Sequence, residues 1–594
     1  MYEKLTYFSA KKMLIQNEKL STFSDVNISI LRNVTVDQID VFLKYFCAEF
    51  SVKANCTFGE FDTILQDVIP TNNKLITSST DIALIFYNLD FAYPNLKNNY
   101  HELSPLELDT ITNDILVYVE TCLVNIRNKS NSLVLWPSFE SYLYTAFGIS
   151  DNSFNDGIND FISSLNKAVS KIFKNFTDCY FINSNSLCAR VGEANFYDHV
   201  RSISSASPYT VSGLKAFALE FSKYIRALKG SVKKCIILDC DNTLWKGIVG
   251  ESDVSNLKVG KAGYPSEAFS KFQLFVKLLS SKGIIIALCS KNNEEDVWAV
   301  FDKHPGMELI KDDITTYRIN WTNKADNIKA IADDLNLGLD ALVFVDDSEF
   351  ECNLILETLP EVDVIQMSDN PLETIQEIIE RGLFDQYTIT DEDKKRKSMY
   401  AREVKRKETQ TGIIDLQAYL KCLKIKVNIV VDDAKNIPRI SQLTQKTNQF
   451  NCTTKRYSEA KISAFMESND NNVFSLQIED KFGDLGIVGV IVTNLLNKND
   501  VQIDTLLMSC RALGRQIESV FLNEVCLYFK QNGISSITST YIPTKKNAQV
   551  RHFFTENNFY RSGESDELST FLLELESFEA IEHVFDRVEM INGD

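Results

Sequence analysis

Lys234-Cys235-Ile236-Ile237-Leu238-Asp239-Cys240-Asp241-Asn242-Thr243 is the stretch on which the fold of this chain turns. An apolar run stops at two carboxylates placed two residues apart. A run without polar alternation is the pattern of a parallel strand buried on both faces. Open parallel sheets put their chemistry just beyond the carboxyl ends of their strands. Asp239 and Asp241 are therefore expected to form a site, not merely to cap a helix after the strand. Two more runs end the same way. Gly283-Ile284-Ile285-Ile286-Ala287-Leu288-Cys289 delivers Ser290 and Lys291, and Ala341-Leu342-Val343-Phe344-Val345 delivers Asp346 and Asp347. Between them, Lys324 opens a helical stretch.

The order Asp-x-Asp-x-Thr, Ser, Lys, Asp-Asp resembles the four motifs of the haloacid dehalogenase (HAD) superfamily of phosphotransferases. That resemblance implies roles for the residues. Asp239 would attack phosphorus and form an aspartyl-phosphate. Asp241 would protonate the leaving oxygen and then activate water, helped by crowding among the carboxylates. Ser290 and Lys324 would hold the transferring oxygens. Mg2+ would be bound by Asp239, the backbone carbonyl of Asp241 and Asp346, with Asp347 as an additional ligand or support. Lys291 is expected at the rim, and Thr243 to brace the loop through its hydroxyl. The intervals Trp245 to Leu288 and Asn292 to Asn323 are too slight to fold as a cap, so the site should be open and suited to a large substrate, or to one covered by another domain of the same chain.

Composition bounds the rest. At 594 residues the chain should hold about three domains. With 44% hydrophobic and 24% charged residues it has the balance of an ordinary globular protein. No window carries the roughly 18 unbroken apolar residues of a membrane span. The beginning, Met1-Tyr2-Glu3-Lys4-Leu5-Thr6, does not read as a signal peptide. The 13 cysteines are scattered, without a Cys-x-x-Cys pair, which suits reduced thiols in a cytoplasm. A net charge of -19 argues against nucleic-acid binding. One basic patch is conceivable, from Lys446, Lys455, Arg456, Arg511 and Arg515.

Along the chain, residues 1–229 mix strands such as Ile82 to Tyr87 with helical stretches such as Leu106 to Ile126, an α/β pattern. The HAD-like segment spans 230–386. A charged helical linker spans 387–411, with Asp391, Glu392 and Asp393 at its start as the helix dipole favours, and reads as a solvated connector. The remainder, 412–594, opens with a helix and then the strand Leu423 to Ile429.

The resemblance narrows further. Leu238 to Glu251, Cys289-Ser290-Lys291-Asn292, Asn320-Trp321, Lys324 to Ile328, Val343 to Asp347, Gln445 to Asn451 and Phe482 to Gly489 look like the blocks of FkbH-like proteins, the HAD-IIIC group. Membership would imply a three-domain α/β protein: an SGNH-hydrolase-like N-terminal domain, a capless HAD domain and a GNAT-like α+β C-terminal domain. It would also imply an enzyme that takes 1,3-bisphosphoglycerate, removes phosphate and loads a glyceryl unit on an acyl carrier protein thiol. Cys289 and Cys510 are the candidate acyl thiols, each with the alternative of a small core residue, and Cys240 reads as packing. The alternative function is a HAD phosphatase acting on a sugar phosphate or another metabolite, without thioester transfer.

In the GNAT-like segment, Arg511, Gly514 and Arg515 would bind pantetheine or the coenzyme A pyrophosphate at a helix start. Gln516 stands where that pattern has a small residue, so a docking module is the favoured reading over an acetyltransferase. The N-terminal segment lacks a Gly-Asp-Ser nucleophile block. Asp198-His199 is the nearest trace of the closing pair, and a non-catalytic domain is expected.

Overall fold

The computed structural model describes residues 2–17, 23–69, 75–145, 147–151, 157–251, 253–390, 392–393, 399–400, 416–544, 546–565 and 568–593. The chain divides into two compact units, Met1–Arg226 with Ser458–Lys461, and Ala227–Tyr457 with Ile462–Asp594.

The first unit is built on five strands, β1 (Ser24–Arg32), β2 (Val52–Phe61), β3 (Ile82–Phe86), β4 (Leu133–Pro137) and β5 (Cys179–Ile182), in the order β2-β1-β3-β4-β5. All four pairings are parallel. Strands β3 and β4 are buried along their whole length, as a sheet covered on both faces requires. The helix Pro105–Lys129 begins in a capping box between Ser104 and Glu107, which satisfies its first amides.

The second unit carries two sheets. The first has strands β6 (Cys235–Leu238), β7 (Ile285–Ser290), β8 (Thr316–Ile319), β9 (Leu342–Asp346) and β10 (Asp363–Gln366), ordered β10-β9-β6-β7-β8 and parallel throughout. Alternate residues serve opposite faces. Ile236, Leu238, Val343 and Val345 enter one apolar core, whereas Cys235, Ile237, Leu342 and Phe344 enter another. Both faces are dry, which is why these strands read as unbroken apolar runs.

The other sheet is mixed. Its strands are β11 (Lys426–Val431), β12 (Phe450–Asn451), β13 (Asn471–Asp480), β14 (Gly483–Leu495), β15 (Asp500–Met508), β16 (Ser536–Tyr541), β17 (Tyr560–Glu564), β18 (Ser569–Glu574) and β19 (Arg587–Asn592). They run β17-β18-β16-β15-β14-β13-β11-β19, with β12 beside β15. The strand expected at Leu423 begins at Lys426 instead. The helix Leu416–Leu423 continues through Leu423, and Lys424 turns the chain at φ +51.

Polar contacts tie the amino edge of the parallel sheet to the mixed sheet. Asp340, just before β9, accepts from Lys546 Nζ at 2.6 Å and Asn448 Nδ2 at 2.9 Å. Lys234 Nζ donates to the Lys446 carbonyl at 2.6 Å. Gly230 (φ +66) sits so close to the Gln445 carbonyl that a Cβ would fall 1.6 Å from its oxygen. Most of the charged linker lies outside the described residues, but Asp393 corrects its reading as solvated. Asp393 is fully buried, accepts from Gln442 Nε2 at 2.5 Å, and has the Lys446 ammonium 3.3 Å away. No helix among the described residues is long and apolar enough to cross a membrane.

Candidate active site

The pairing of β6 with β9 sets Leu238 opposite Val345. The Asp239 amide then donates to the Val345 carbonyl at 3.0 Å, so Asp239 and Asp346 leave neighbouring strands side by side. Carboxylate oxygens of Asp239, Asp346 and Asp347 all lie within 4.8 Å of one another. Lys324, at the start of the helix Lys324–Asp334, sends its ammonium between the first two, 2.7 Å from Asp239 Oδ1 and 2.6 Å from Asp346 Oδ2. Asn323 caps this helix by accepting from the Ala325 amide, which fixes where Lys324 begins its reach.

The electrostatics follow from burial. Asp346 is pushed up to about 6 by burial and by Asp239, against the pull of Lys324 and the Ser348 amide. Asp239 is raised by burial, with Lys324 and Ser290 opposing, and Asp347 is raised by burial and by Asp346. Burial works against the Lys324 charge, but Asp239 and Asp346 outweigh it and hold the ammonium above its ordinary range.

Asp241 stands apart from the carboxylate cluster. Its Oδ1 accepts from Trp245 Nε1 at 3.0 Å and the Val249 amide at 3.1 Å, and its Oδ2 from Asn292 Nδ2 at 3.0 Å. Donors surround it, so the expected crowding by carboxylates falls on Asp239, Asp346 and Asp347 instead. Ser290 is buried, and its Oγ accepts from Asn292 Nδ2 at 3.1 Å. Asn292 thus joins two site residues, a role that its position two residues past Ser290 did not reveal. Asn242 (φ +52) accepts from the Gly247 amide and so anchors the flap. Thr243 does not brace the loop through its hydroxyl: Oγ1 is buried without a hydrogen-bond partner among the described residues. Lys291 lies at the rim and pairs with Glu351 at 2.6 Å.

The two candidate thiols are separated. Cys289 lies in β7, fully buried, with its thiol pushed up to about 12 by burial, which suppresses the reactive thiolate. Cys240 is also fully buried. Cys510 lines a cavity of about 60 Å3 with Lys234, Asn336, Asp340, Tyr400 and Gln449. Its carbonyl accepts from Asn336 Nδ2 at 2.5 Å, and its sulfur lies 3.8 Å from the Tyr400 hydroxyl. Lys234 and Asp340 precede β6 and β9, so this cavity is at the amino edge of the sheet, opposite the carboxylates. Lys324 begins a helix of 11 residues, roughly 16 Å long at 1.5 Å per residue, and Asn336 lies two residues past its end.

Residues proposed for pantetheine or for a basic patch turn inward. Arg515 is buried with Nη1 3.9 Å from Asp480 Oδ2. Gly514 (φ +76) precedes the helix Ile517–Gln531, but Glu518 is hydrogen-bonded to backbone at Gly514 and at its own position, so the chain's own carboxylate occupies this turn. The Arg511 side chain lies outside the described residues. Lys455 pairs with Asp504 at 2.5 Å, Lys446 with Asp393, and Arg456 donates to the carbonyls of Thr444 and Thr447. Four of the five residues of the expected basic patch, Lys446, Lys455, Arg456 and Arg515, thus have internal partners. In the first unit, Asp198 caps the helix His199–Ser205, while the exposed His199 meets Glu193 at 3.0 Å, so the two form no dyad.

Fold and site define a parallel α/β domain with a lysine-braced carboxylate cluster at its strand ends. No protein-family model matches the chain, and no curated protein matches it. Among solved structures it is similar to the N-terminal part of the protein BF1531 from Bacteroides fragilis, containing a phosphatase domain complexed with Mg. The two share 25% identity at a TM-score of 0.57, over 64% of this chain and 99% of that one. Two acetyltransferases give slighter likenesses. The Campylobacter jejuni N-acetyltransferase PseH is 17% identical at a TM-score of 0.16, over 19% of this chain and 74% of its own. A mutant of the Vibrio cholerae spermidine N-acetyltransferase SpeG is 13% identical at a TM-score of 0.21, over 26% and 94%.

Proposed function

We propose that the chain is a magnesium-dependent phosphatase of the HAD type. The observation that carries this reading is the Lys324 ammonium held between Asp239 and Asp346, with Asp347 beside them. Three carboxylates against one lysine leave two negative charges uncompensated, and their hard oxygens fit a small divalent cation. Magnesium held by Asp239, Asp346 and Asp347 would neutralise the phosphoryl oxygens. The Mg-complexed phosphatase domain of the similar Bacteroides fragilis protein supports the same metal.

In the proposed reaction, an Asp239 oxygen attacks phosphorus as the bond to the leaving oxygen breaks. Asp241, oriented by Trp245, Val249 and Asn292, gives that oxygen a proton. It then takes one from a water that attacks the aspartyl-phosphate and releases inorganic phosphate. Ser290 and Lys324 orient the transferring oxygens. Among the described residues neither interval folds as a cap: the one after Asp241 adds a flap and the helix Ser266–Ser281, and the one after Ser290 adds the helix Glu294–Lys303.

Glyceryl loading from 1,3-bisphosphoglycerate is the finer reading. It receives little support from the thiols, one sealed in the core and the other at the far end of the sheet. Acyl transfer here would need the thiol of an acyl carrier protein to enter the open site itself. Hydrolysis of a phosphate ester, the alternative reading, needs nothing further. The mixed sheet, GNAT-like by resemblance, fits a docking module better than a coenzyme A enzyme, because Arg515 and the Gly514 turn are occupied by Asp480 and Glu518. A cytoplasmic setting accords with 13 free cysteines.

The test is phosphate release from a panel of phosphate esters with Mg2+ or with EDTA. The wild type should release phosphate only with metal, and Asp239→Asn should lose at least about a thousandfold in turnover. Full turnover by Asp239→Asn would refute the mechanism.

A further inference from the structure

Three large apolar side chains stand exposed on the segments that follow the site's strands: Trp321 (70% exposed) and Ile248 (42%) on loops, and Phe350 (70%) in the first turn of the helix Glu349–Thr358. None is on a free-swinging segment. The Trp321 indole donates to Asn293 Oδ1 at 3.1 Å, and the Asn320 amide before it donates to the Ser290 carbonyl at 3.1 Å. Ile248 lies between Gly247, whose amide is held by Asn242, and Val249, whose amide is held by Asp241. Phe350 is two residues past Ser348, whose amide donates to Asp346 Oδ1 at 2.9 Å. Each apolar group is thus pinned through one or two residues to a group of the phosphoryl site. Holding a large hydrophobe in water at a fixed place brings no folding benefit, and exposed apolar surface at a polar site marks ligand contact.

The exposed charges nearby are mostly acidic. Glu251 is exposed on the flap, and Glu294, Asp326 and Glu349 are exposed in the first turns of the helices that follow the site's strands. Of the neighbouring lysines, Lys291 pairs with Glu351 and Lys246 with Asp369 at 3.5 Å, while Lys258 beside Lys246 is exposed. A substrate body bearing a second phosphate or a carboxylate would meet uncompensated negative charge beyond the site, whereas an uncharged body would not.

Resting on the phosphatase reading above, we propose that Trp321, Phe350 and Ile248 form an apolar shelf at the mouth of the site. This shelf holds the uncharged body of a phosphomonoester, with the Trp321 indole as its main specificity determinant. The substrate class is a phosphate ester whose alcohol carries no charge and presents an apolar face, as an aromatic or sugar ring does. The shelf does the work of the missing cap: it positions the body while the carboxylates and Lys324 hold the phosphate.

The experiment compares phenyl phosphate, 4-carboxyphenyl phosphate and methyl phosphate as substrates of the full chain with Mg2+. Phenyl phosphate should lead 4-carboxyphenyl phosphate by about tenfold or more in kcat/KM. Trp321→Ala should lower kcat/KM for phenyl phosphate about tenfold, mainly through KM, and for methyl phosphate at most about twofold, with Trp321→Phe recovering most of the loss. Equal losses on phenyl and methyl phosphate, no loss on either, or preference for the carboxylated ester would overturn the shelf. A second readout is independent of turnover. Phenyl phosphate added to Asp239→Asn should change its tryptophan fluorescence, and the change should vanish in Asp239→Asn/Trp321→Phe. A Trp321-dependent signal from a wild type that hydrolyses none of the esters would keep the shelf and refute the phosphatase reading. Absence of that signal would count against the shelf.

Discussion

Replacing Lys324 by Met removes the one ammonium at the carboxylate cluster while keeping most of the side chain's volume. At 2.7 and 2.6 Å from its partners, each pair is worth roughly 6 kcal/mol of Coulomb attraction at an effective dielectric of 20. Desolvation of three buried groups offsets much of that. What remains on breaking such a buried pair is about 3–5 kcal/mol, most of it the cost of leaving carboxylates unpaired. Urea unfolding of wild type and Lys324→Met in EDTA should show that gap. Excess Mg2+ should narrow it, because the variant's naked carboxylates gain more from a bound cation. Saturation at about a hundredfold over Kd supplies about 2.7 kcal/mol to whichever form binds. A difference under about 1 kcal/mol in EDTA would refute the account, since the carboxylates would then not depend on Lys324 for neutralisation. If Mg2+ stabilised neither protein, the cluster would not be a cation site.

Two further perturbations probe the scaffold. Burial raises the Glu140 carboxyl from its ordinary 4.5 to about 7, although it accepts from the Tyr209 hydroxyl at 2.7 Å. A raised acid stabilises the fold fully below its unfolded pKa and loses that contribution as pH rises through the folded one, so about 3 kcal/mol should fade between pH 4.5 and 7. Urea unfolding of Glu140→Gln across that window should lack this decline, and an equal decline in both proteins would assign it elsewhere. Gly230→Ala should cost at least about 2 kcal/mol in the same assay, since φ is +66 and the new Cβ would meet the Gln445 carbonyl oxygen. A loss within about 0.5 kcal/mol would mean the two segments separate freely.

The parallel strands were legible because burial on both faces writes unbroken apolar runs into the chain, and strand ends then announce Asp239, Ser290 and Asp346. Lys324 was legible only through its order among those motifs. What the sequence could not carry was the destination of each charge. Asp393 looked like a surface helix acid, yet it is buried beside Lys446 and Gln442, which lie some fifty residues away. Arg515 looked ready for a phosphate, but Asp480 on another strand claims it. Cys289 and Cys510 both seemed to close buried strands, and only the topology puts them at opposite edges of one sheet. Trp321 stands in a motif block, and sequence cannot distinguish an exposed indole from a core one.

The partition between buried strand ends and pinned, water-facing segments has an evolutionary consequence. Substitution of Lys324 would cost several kcal/mol, a large part of any domain's reserve, and substitution of Asp239 or Asp346 would remove the proposed chemistry. Exchanging Trp321, Phe350 or Ile248 for other surface residues costs the fold within about half a kcal/mol. A lineage can therefore retune what enters the site almost freely while its chemistry stays locked, and divergence among descendants should gather at those three positions.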